Sequence, residues 1–396
     1  MSVLAVPRAH RRVPAAAGCC LLSFAVFWAA QRAAHVSLLD VMVYRAEGAT
    51  VRAGGDLYAM RATYAHLPAT YPPFAALMFT PLTLLGDAGL HTAATALNLG
   101  LLVAFAYLSL RLVLAHARVE QALWVAAGAV WCEPVWATLR YGQVNLLLAV
   151  AVLADLTRRP GHRWAGVGIG LAAAVKLTPA LFAVFVLGTG LVLAARGGQW
   201  RPWLRHACVA ALSFLAATAL AAVVLPYDSR RFWTWAVFDT RRVGRTENTA
   251  DQSLRGVLAR LLHTAEPGAW WVSAAVVVAA LGLAVAVTAA ARGQRARAVV
   301  ACAVTALLVS PVSWSHHWVW CLPLVIALWA EGHRRAAAAA ALLFCSYALW
   351  WVPHGPGRPE LHQNVVEFAL SSLYPAAGLA YAGSVGLTLW RTSRSA

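Results

Sequence analysis

Apolar runs of membrane length recur from one end of this chain to the other, at about 14–33, 92–112, 121–139, 142–156, 165–180, 181–195, 206–225, 270–291, 297–311, 318–330, 336–352 and 367–390. Hydrocarbon accepts a backbone only when its polar groups are paired within the segment, so repeated runs of this kind point to a bundle of helices. The expected fold is all-α, a single polytopic membrane domain over 1–396 with about twelve transmembrane helices. The run at 14–30 follows Arg8, Arg11 and Arg12 in the manner of a signal peptide. Many further runs follow it and no small-residue cleavage site precedes Asp40, so a retained first helix is expected.

The formal charge of +17 would suit a nucleic-acid partner if the arginines formed one patch. They fall instead in short clusters between apolar runs, as topology signals and contacts to lipid phosphate do, and no nucleic acid is expected. An additional apolar piece at 71–86 sets the orientation. If it lies along the membrane surface, the N-terminus, Arg111/Arg118, Arg158/Arg159/Arg163, Arg196/Arg201/Arg205, Arg292/Arg295/Arg297, Arg334/Arg335 and Arg391/Arg394 all fall on one side. That side is then cytoplasmic, with both termini, and the long segments 34–91, 226–269 and 353–366 lie outside. Irregular segments on a rigid scaffold are where function concentrates. The arginines of 226–269, including Arg241 and Arg245, defy the inside bias and suggest an anion such as phosphate, although long loops also translocate regardless of charge. The seven cysteines lack CxxC spacing and mostly lie in apolar runs, so they read as small buried hydrophobes rather than zinc ligands or a disulfide framework.

In a chain only 12% charged, polar residues beside apolar runs stand out. Asp40 follows the first run; it could cap a short helix starting at Val41, or be a group presented for chemistry. After it come Tyr44, a Gly54-Gly55-Asp56 turn, Tyr58 and Tyr71-Pro72-Pro73, with prolines suited to a helix entrance. A second cluster has Glu133-Pro134 interrupting a run, then Gly142, Gln143 and Asn145. A third is Lys176, the only lysine, three residues before Pro179. The fourth is Ser310-Pro311 through Trp314 to His316-His317, and Asn248 with Asp251 forms a weaker fifth. Polar groups at such depth need partners or a water-filled cavity. Under the chosen topology the four main clusters converge outside, on one pocket with a carboxylate, histidines, a lysine and arginines. The histidines lack a third metal ligand at convincing spacing, and no phosphate loop, dinucleotide fingerprint or HExxH helix is present, so neither metal nor cofactor is expected.

The same residues carry a resemblance. Asp40-Val41 with Tyr44, the Gly54/Asp56/Leu57/Tyr58 turn, Tyr71-Pro72-Pro73, Gly142-Gln143-Val144-Asn145, Lys176 with Pro179, and Ser310-Pro311 through Trp314 and His316-His317 stand in the order seen in the polyprenyl-phosphate-mannose-dependent mannosyltransferases of mycobacteria and related actinobacteria. These are membrane enzymes of the GT-C architecture in glycosyltransferase family 87. Within them, TYPPFAAL is most similar to the alpha-1,2-mannosyltransferase that extends the tetramannosylated phosphatidylinositol mannoside. The resemblance implies Asp40 as catalytic base, a polyprenyl phosphate beta-mannose donor, a phosphatidylinositol mannoside acceptor and an alpha product. Inversion in one step needs one base and no protein nucleophile, and phosphate leaves without a second carboxylic acid. His316 or His317, Lys176, Arg241 and Arg245 are then expected to offset phosphate charge. Tyr44, Tyr58, Tyr71, Glu133, Gln143, Asn145 and Trp314 are expected to line the substrates. A monomer among membrane lipids of the plasma membrane is expected. Transfer of arabinose or mannosylation of another lipoglycan are near alternatives. A lipid transporter is a distant one, since no inverted repeat shows in the hydropathy.

Overall fold

The computed structural model describes residues 7–159 and 161–394, with side chains from residue 13 onward, so the basic side chains Arg8, Arg11 and Arg12 lie outside what is described. Among the described residues all regular structure is helical, apart from two isolated bridges, Ala62 with Leu67 and Asp251 with Trp314. Helices fall where the apolar runs stand, but most are shorter than the twelve-span reading requires. Among the described residues four are long and apolar enough to cross a membrane: Val13–Ala33, Asp87–Leu110, Arg201–Val224 and Gly268–Ala291. A helix of 24 residues rises roughly 36 Å, beyond the ~30 Å of hydrocarbon. Two bent pairs bring the number to six if each is one span. Val119–Ala129 turns 83° into Glu133–Tyr141 just before Glu133-Pro134, where the sequence shows the run interrupted. Val365–Ser371 turns 67° into Leu373–Arg394.

The piece at 71–86 forms the helix Pro73–Phe79 with a 3-10 turn Thr80–Leu84, too short to cross. Pro72 stands at its N-cap and Pro73 at its first position, as anticipated, where a missing N–H costs nothing. The 165–195 block is two antiparallel limbs. Val167–Val175 runs alongside Arg201–Val224 in the same direction, Gly166 lying against His206 and Ala210, and Gly170 against Ala210 and Phe214. Ala180–Ala195 returns, bringing Gly190 against Leu204. Lys176 sits at the tip, in extended backbone between the limbs.

Arg295–Val309 is the central helix, buried continuously from Ala298 to Leu308 and apolar on every side. Gly268–Ala291 packs on it through Gly282, Ala286 and Ala290, small residues at four-residue spacing that let backbones approach where no hydrophobic effect drives them together. Cys20, Cys302 and Cys321 are buried as expected of small apolar residues, whereas Cys19, Cys208 and Cys345 are exposed.

The segment 226–269 is ordered by its own arginines. Arg260 is fully buried and donates to the carbonyls of Asn248, Asp251 and Ser371, each at 3.0 Å. Asp251 in turn accepts from the backbone N–H of Ser253 (3.1 Å) and Ser313 (2.9 Å), tying this segment to the stretch that leads into His316. Three of its seven arginines, Arg242, Arg245 and Arg260, donate to backbone carbonyls, and Arg231, Arg241 and Arg255 meet side chains of Asp56, Asp239 and Thr240.

Candidate active site

A helix starts at Leu39, after Leu38 turns through left-handed backbone (φ 45°), and runs to Arg52. Asp40 is therefore inside the first turn and caps nothing, since its helix begins two residues before the expected Val41. Burial of one face of this helix brings Asp40, Tyr44 and Glu47 to the same side, at i, i+4 and i+7. Gly48 lets it lie on the Phe79 carbonyl, where a Cβ would stand 2.6 Å from the oxygen. On the other side, Gly142 takes positive φ to end the helix Glu133–Tyr141, and a Cβ there would meet Val41 at 2.9 Å. That close approach delivers Gln143 to the carboxylate.

Gln143 Nε2 donates to Asp40 Oδ2 at 2.6 Å, while its Oε1 accepts from the hydroxyls of Tyr44 (2.8 Å) and Tyr71 (3.2 Å). The Tyr44 ring stacks on Phe79, 4.4 Å between centroids. Lys176 reaches the same group from the opposite side: its Nζ is 3.4 Å from the Tyr71 hydroxyl, 3.3 Å from Asn145 Oδ1 and 2.8 Å from His317 Nε2. Asn145 Nδ2 donates to the His316 carbonyl at 2.9 Å, and Thr138 Oγ1 does so at 2.8 Å, fixing the histidine pair. His316 Nε2 is buried and has no protein partner.

These groups line one cavity of about 460 Å³. Of the residues selected from sequence, Asp40, Tyr44, Tyr71, Gln143, Lys176, Trp314, His316 and His317 meet there. Asn145 lies behind Lys176, lining a narrower apolar cavity that shares Lys176, Ser310 and His317 with the first. Tyr58 does not line the large cavity; its hydroxyl donates to the Tyr71 carbonyl (2.8 Å) and so steadies the wall. Arg241 is exposed, with only Asp239 at 3.5 Å, and Arg245 is occupied by the Gly355 carbonyl at 3.0 Å. The arginine that does line the cavity is Arg242, which donates to the carbonyls of Tyr58 (2.9 Å) and Ala69 (3.1 Å). Nothing in the sequence distinguishes it from its neighbours. Glu47 was also missed, although its helical spacing from Asp40 could have found it.

Glu133 faces away from the cavity and serves as a hub. Its carboxylate accepts from Ser315 Oγ (2.8 Å), Trp350 Nε1 (3.0 Å) and the Tyr374 hydroxyl (3.0 Å). Replacing it by alanine would orphan three buried donors, so Glu133→Ala is expected to cost about 3 kcal/mol or more of stability. Thermal unfolding in detergent measures this; unchanged stability with lost catalysis would return Glu133 to the substrate site.

Burial pushes the Asp40 carboxyl up to about 6, against the opposing pull of the Gln143 hydrogen bond and the Lys176 charge. Glu47, more deeply buried, is pushed up to about 8, countered by a hydrogen bond from the Thr70 backbone. At neutral pH Asp40 is thus a carboxylate able to accept a proton and Glu47 a neutral acid able to donate a hydrogen bond. Any reaction using Asp40 as base is expected to fall as pH drops through about 6, where the carboxyl protonates. The pH profile of kcat/KM checks this, and a profile flat across pH 6 contradicts it.

The family model described as Glycosyltransferase family 87 matches residues 69–311. The chain belongs to glycosyltransferase family 87. The matched stretch includes Tyr71, Gln143 and Lys176, with Asp40 before it and the histidine pair after it. Among relatives of this family 87 chain is the polyprenol-phosphate-mannose-dependent alpha-(1-2)-phosphatidylinositol mannoside mannosyltransferase of Mycobacterium tuberculosis, 36% identical over 293 residues, covering 70% of this chain and 66% of that protein. The corresponding pentamannoside mannosyltransferase of Mycolicibacterium smegmatis is 34% identical, covering 70% and 64%. A mannoside mannosyltransferase of M. smegmatis is 35% identical over 344 residues, covering 80% and 75%. The match spans about two thirds of the length of the first two relatives. Among solved structures, ArnT from Cupriavidus metallidurans bound to undecaprenyl phosphate is similar over 92% of this chain and 77% of that one, with a TM-score of 0.43 and 14% identity.

Proposed function

We propose that this protein transfers mannose from polyprenyl phosphate beta-mannose to the 2-hydroxyl of a mannose on a phosphatidylinositol mannoside, in one inverting displacement at the outer face of the plasma membrane. The observation that carries the reading is the continuous chain from Asp40 through Gln143 and the two tyrosines to Lys176 and His317. It sets a base at one end of a cavity and cationic or hydrogen-bonding groups at the other, as a displacement at a sugar phosphate requires. The base accepts the acceptor hydroxyl's proton as oxygen attacks the anomeric carbon; the phosphate departs toward Lys176, with His316 Nε2 free to engage it. The wall beyond Lys176 is apolar, lined by Leu148, Ala149, Val152 and Phe182, in keeping with a phosphate that carries a lipid.

The charge distribution supports the orientation. Arg201 and Arg295 begin helices that lead toward the cavity end, where Asp228 follows one and Ser310 lines the site after the other. Arg158 follows the helix Asn145–Leu156, which starts beside Lys176. The basic linkers thus gather at the end remote from Asp40, as the cytoplasmic side of a membrane protein does. We therefore assign that end to the cytoplasm and the cavity to the outer side.

Relatives of near-equal identity bear names with different acceptors, so the tetramannoside-to-pentamannoside step is our reading on the TYPPFAAL likeness alone. The test is to incubate purified protein with radiolabelled polyprenyl phosphate mannose and phosphatidylinositol mannosides bearing successive numbers of mannoses, then determine the product linkage. An alpha-1,2 product from the tetramannoside is expected. Transfer to none of them retires the proposal.

A further inference from the structure

Where the helix Val119–Ala129 breaks before Glu133–Tyr141, three consecutive residues meet the last residue of the helix Arg334–Cys345 and the segment that follows it. The Trp131 carbonyl accepts from the Tyr347 hydroxyl at 3.2 Å, Cys132 Sγ lies 3.2 Å from Cys345 Sγ, and Glu133 accepts from Trp350 Nε1 at 3.0 Å. The middle rung differs from its neighbours: two thiols 213 residues apart in sequence stand roughly 1 Å beyond the ~2.05 Å of a disulfide bond. Their closeness is fixed by the hydrogen bonds above and below. Cys345 is exposed, Cys132 half-buried, and both lie at the cavity end of the bundle, beside the Glu133 hub.

We propose that Cys132 and Cys345 are joined by a disulfide in the mature protein, an assignment that rests on the outward orientation of this end proposed above. Free thiols persist in the cytosol, whereas the extracytoplasmic space keeps disulfides. The oxidant is an extracytoplasmic thiol-disulfide oxidoreductase in its disulfide form. The exposed Cys345 loses its proton and attacks one sulfur of that disulfide, forming a mixed disulfide and releasing the oxidant's other sulfur as a thiol. Cys132 then loses its proton and attacks Cys345 Sγ, releasing the second. Two protons and two electrons have passed from the cysteine pair to the oxidant, now a dithiol. The bond covalently closes the seam whose neighbouring residue, Glu133, holds Ser315 beside His316. The sequence reading of these cysteines as inert hydrophobes would then fail at this pair, because no local spacing marks partners so far apart.

Membranes are treated with N-ethylmaleimide before solubilisation, and the unreduced full-length protein is digested and mapped by mass. The expected product is a Cys132 peptide joined to a Cys345 peptide, two hydrogens lighter than their sum and separated by dithiothreitol. Recovery of both cysteines alkylated, or of Cys132 joined to the nearby Cys321, overturns the assignment. In intact cells a membrane-impermeant maleimide should label Cys345 only after reduction; labelling confined to inside-out vesicles puts the pair on the reducing side and overturns it too. Cys345→Ser should leave Cys132 fully alkylated. Mannosyl transfer is measured on the same preparations. Transfer without the cross-link retires the disulfide and leaves the proposed function, whereas the cross-link without transfer does the reverse.

Discussion

Asp40→Asn is expected to lower mannosyl transfer by about 10²–10⁴-fold while the protein still inserts and binds donor lipid. The substitution is nearly isosteric, and its amide oxygen can keep accepting from Gln143 Nε2, so Tyr44, Tyr71 and the cavity wall have no reason to move. What is lost is the capacity to take a proton. The rival base in the cavity is Glu47, on the same helix face and pushed up to about 8 by burial, hence protonated at the pH where Asp40 is ionised. Single-turnover transfer and donor binding by Asp40→Asn and Glu47→Gln separate the two. Near-normal product from Asp40→Asn, with loss in Glu47→Gln, would move the base about two helical turns along the same face. Asp40→Asn should also lose the fall in rate as pH drops through about 6, because the titrating group is gone.

The helices were legible because membrane insertion writes them as long apolar runs; the piece at 71–86 was kept from crossing by the one-sided basic linkers, and it forms only the short helical stretch Pro73–Leu84. Span number was not legible. A run of apolar residues fixes what may touch lipid, but not whether it bends at Glu133-Pro134 or turns back at Lys176, and those breaks depend on packing partners distant in sequence. The site shows the same division. Asp40, Lys176 and the histidine pair were recognisable because charge beside hydrocarbon is costly. Glu133 met that criterion equally well and proved to be a hub, since cost alone does not say whether the compensation is a ligand or Ser315, Trp350 and Tyr374. Among seven loop arginines only the fold could distinguish Arg242 at the cavity from Arg260 in the core.

Lys176→Met is expected to reduce kcat/KM for the donor by about 10²-fold or more while leaving thermal stability nearly unchanged. An ammonium has three donors, and they point to His317 Nε2 at 2.8 Å, Asn145 Oδ1 at 3.3 Å and the Tyr71 hydroxyl at 3.4 Å. Two of the three are long, so a phosphate oxygen can displace them at little cost, and the charge has nothing better to do until the donor arrives. The fold gains little from it: Lys176 is the tip of two antiparallel limbs, and burying an ammonium costs about as much as these neutral partners return. A methionine keeps the stem's volume without the desolvation penalty. Lys176→Arg should not restore the rate, because a planar fork cannot reproduce a compact ammonium between Tyr71, Asn145 and His317. The expected separation is therefore opposite to that of Glu133→Ala, which should unfold the seam before it affects chemistry. Measuring donor kcat/KM and the melting temperature on both variants decides it: a Lys176→Met protein that melts early and turns over normally would make the lysine a structural strut and remove the phosphate from that end of the cavity.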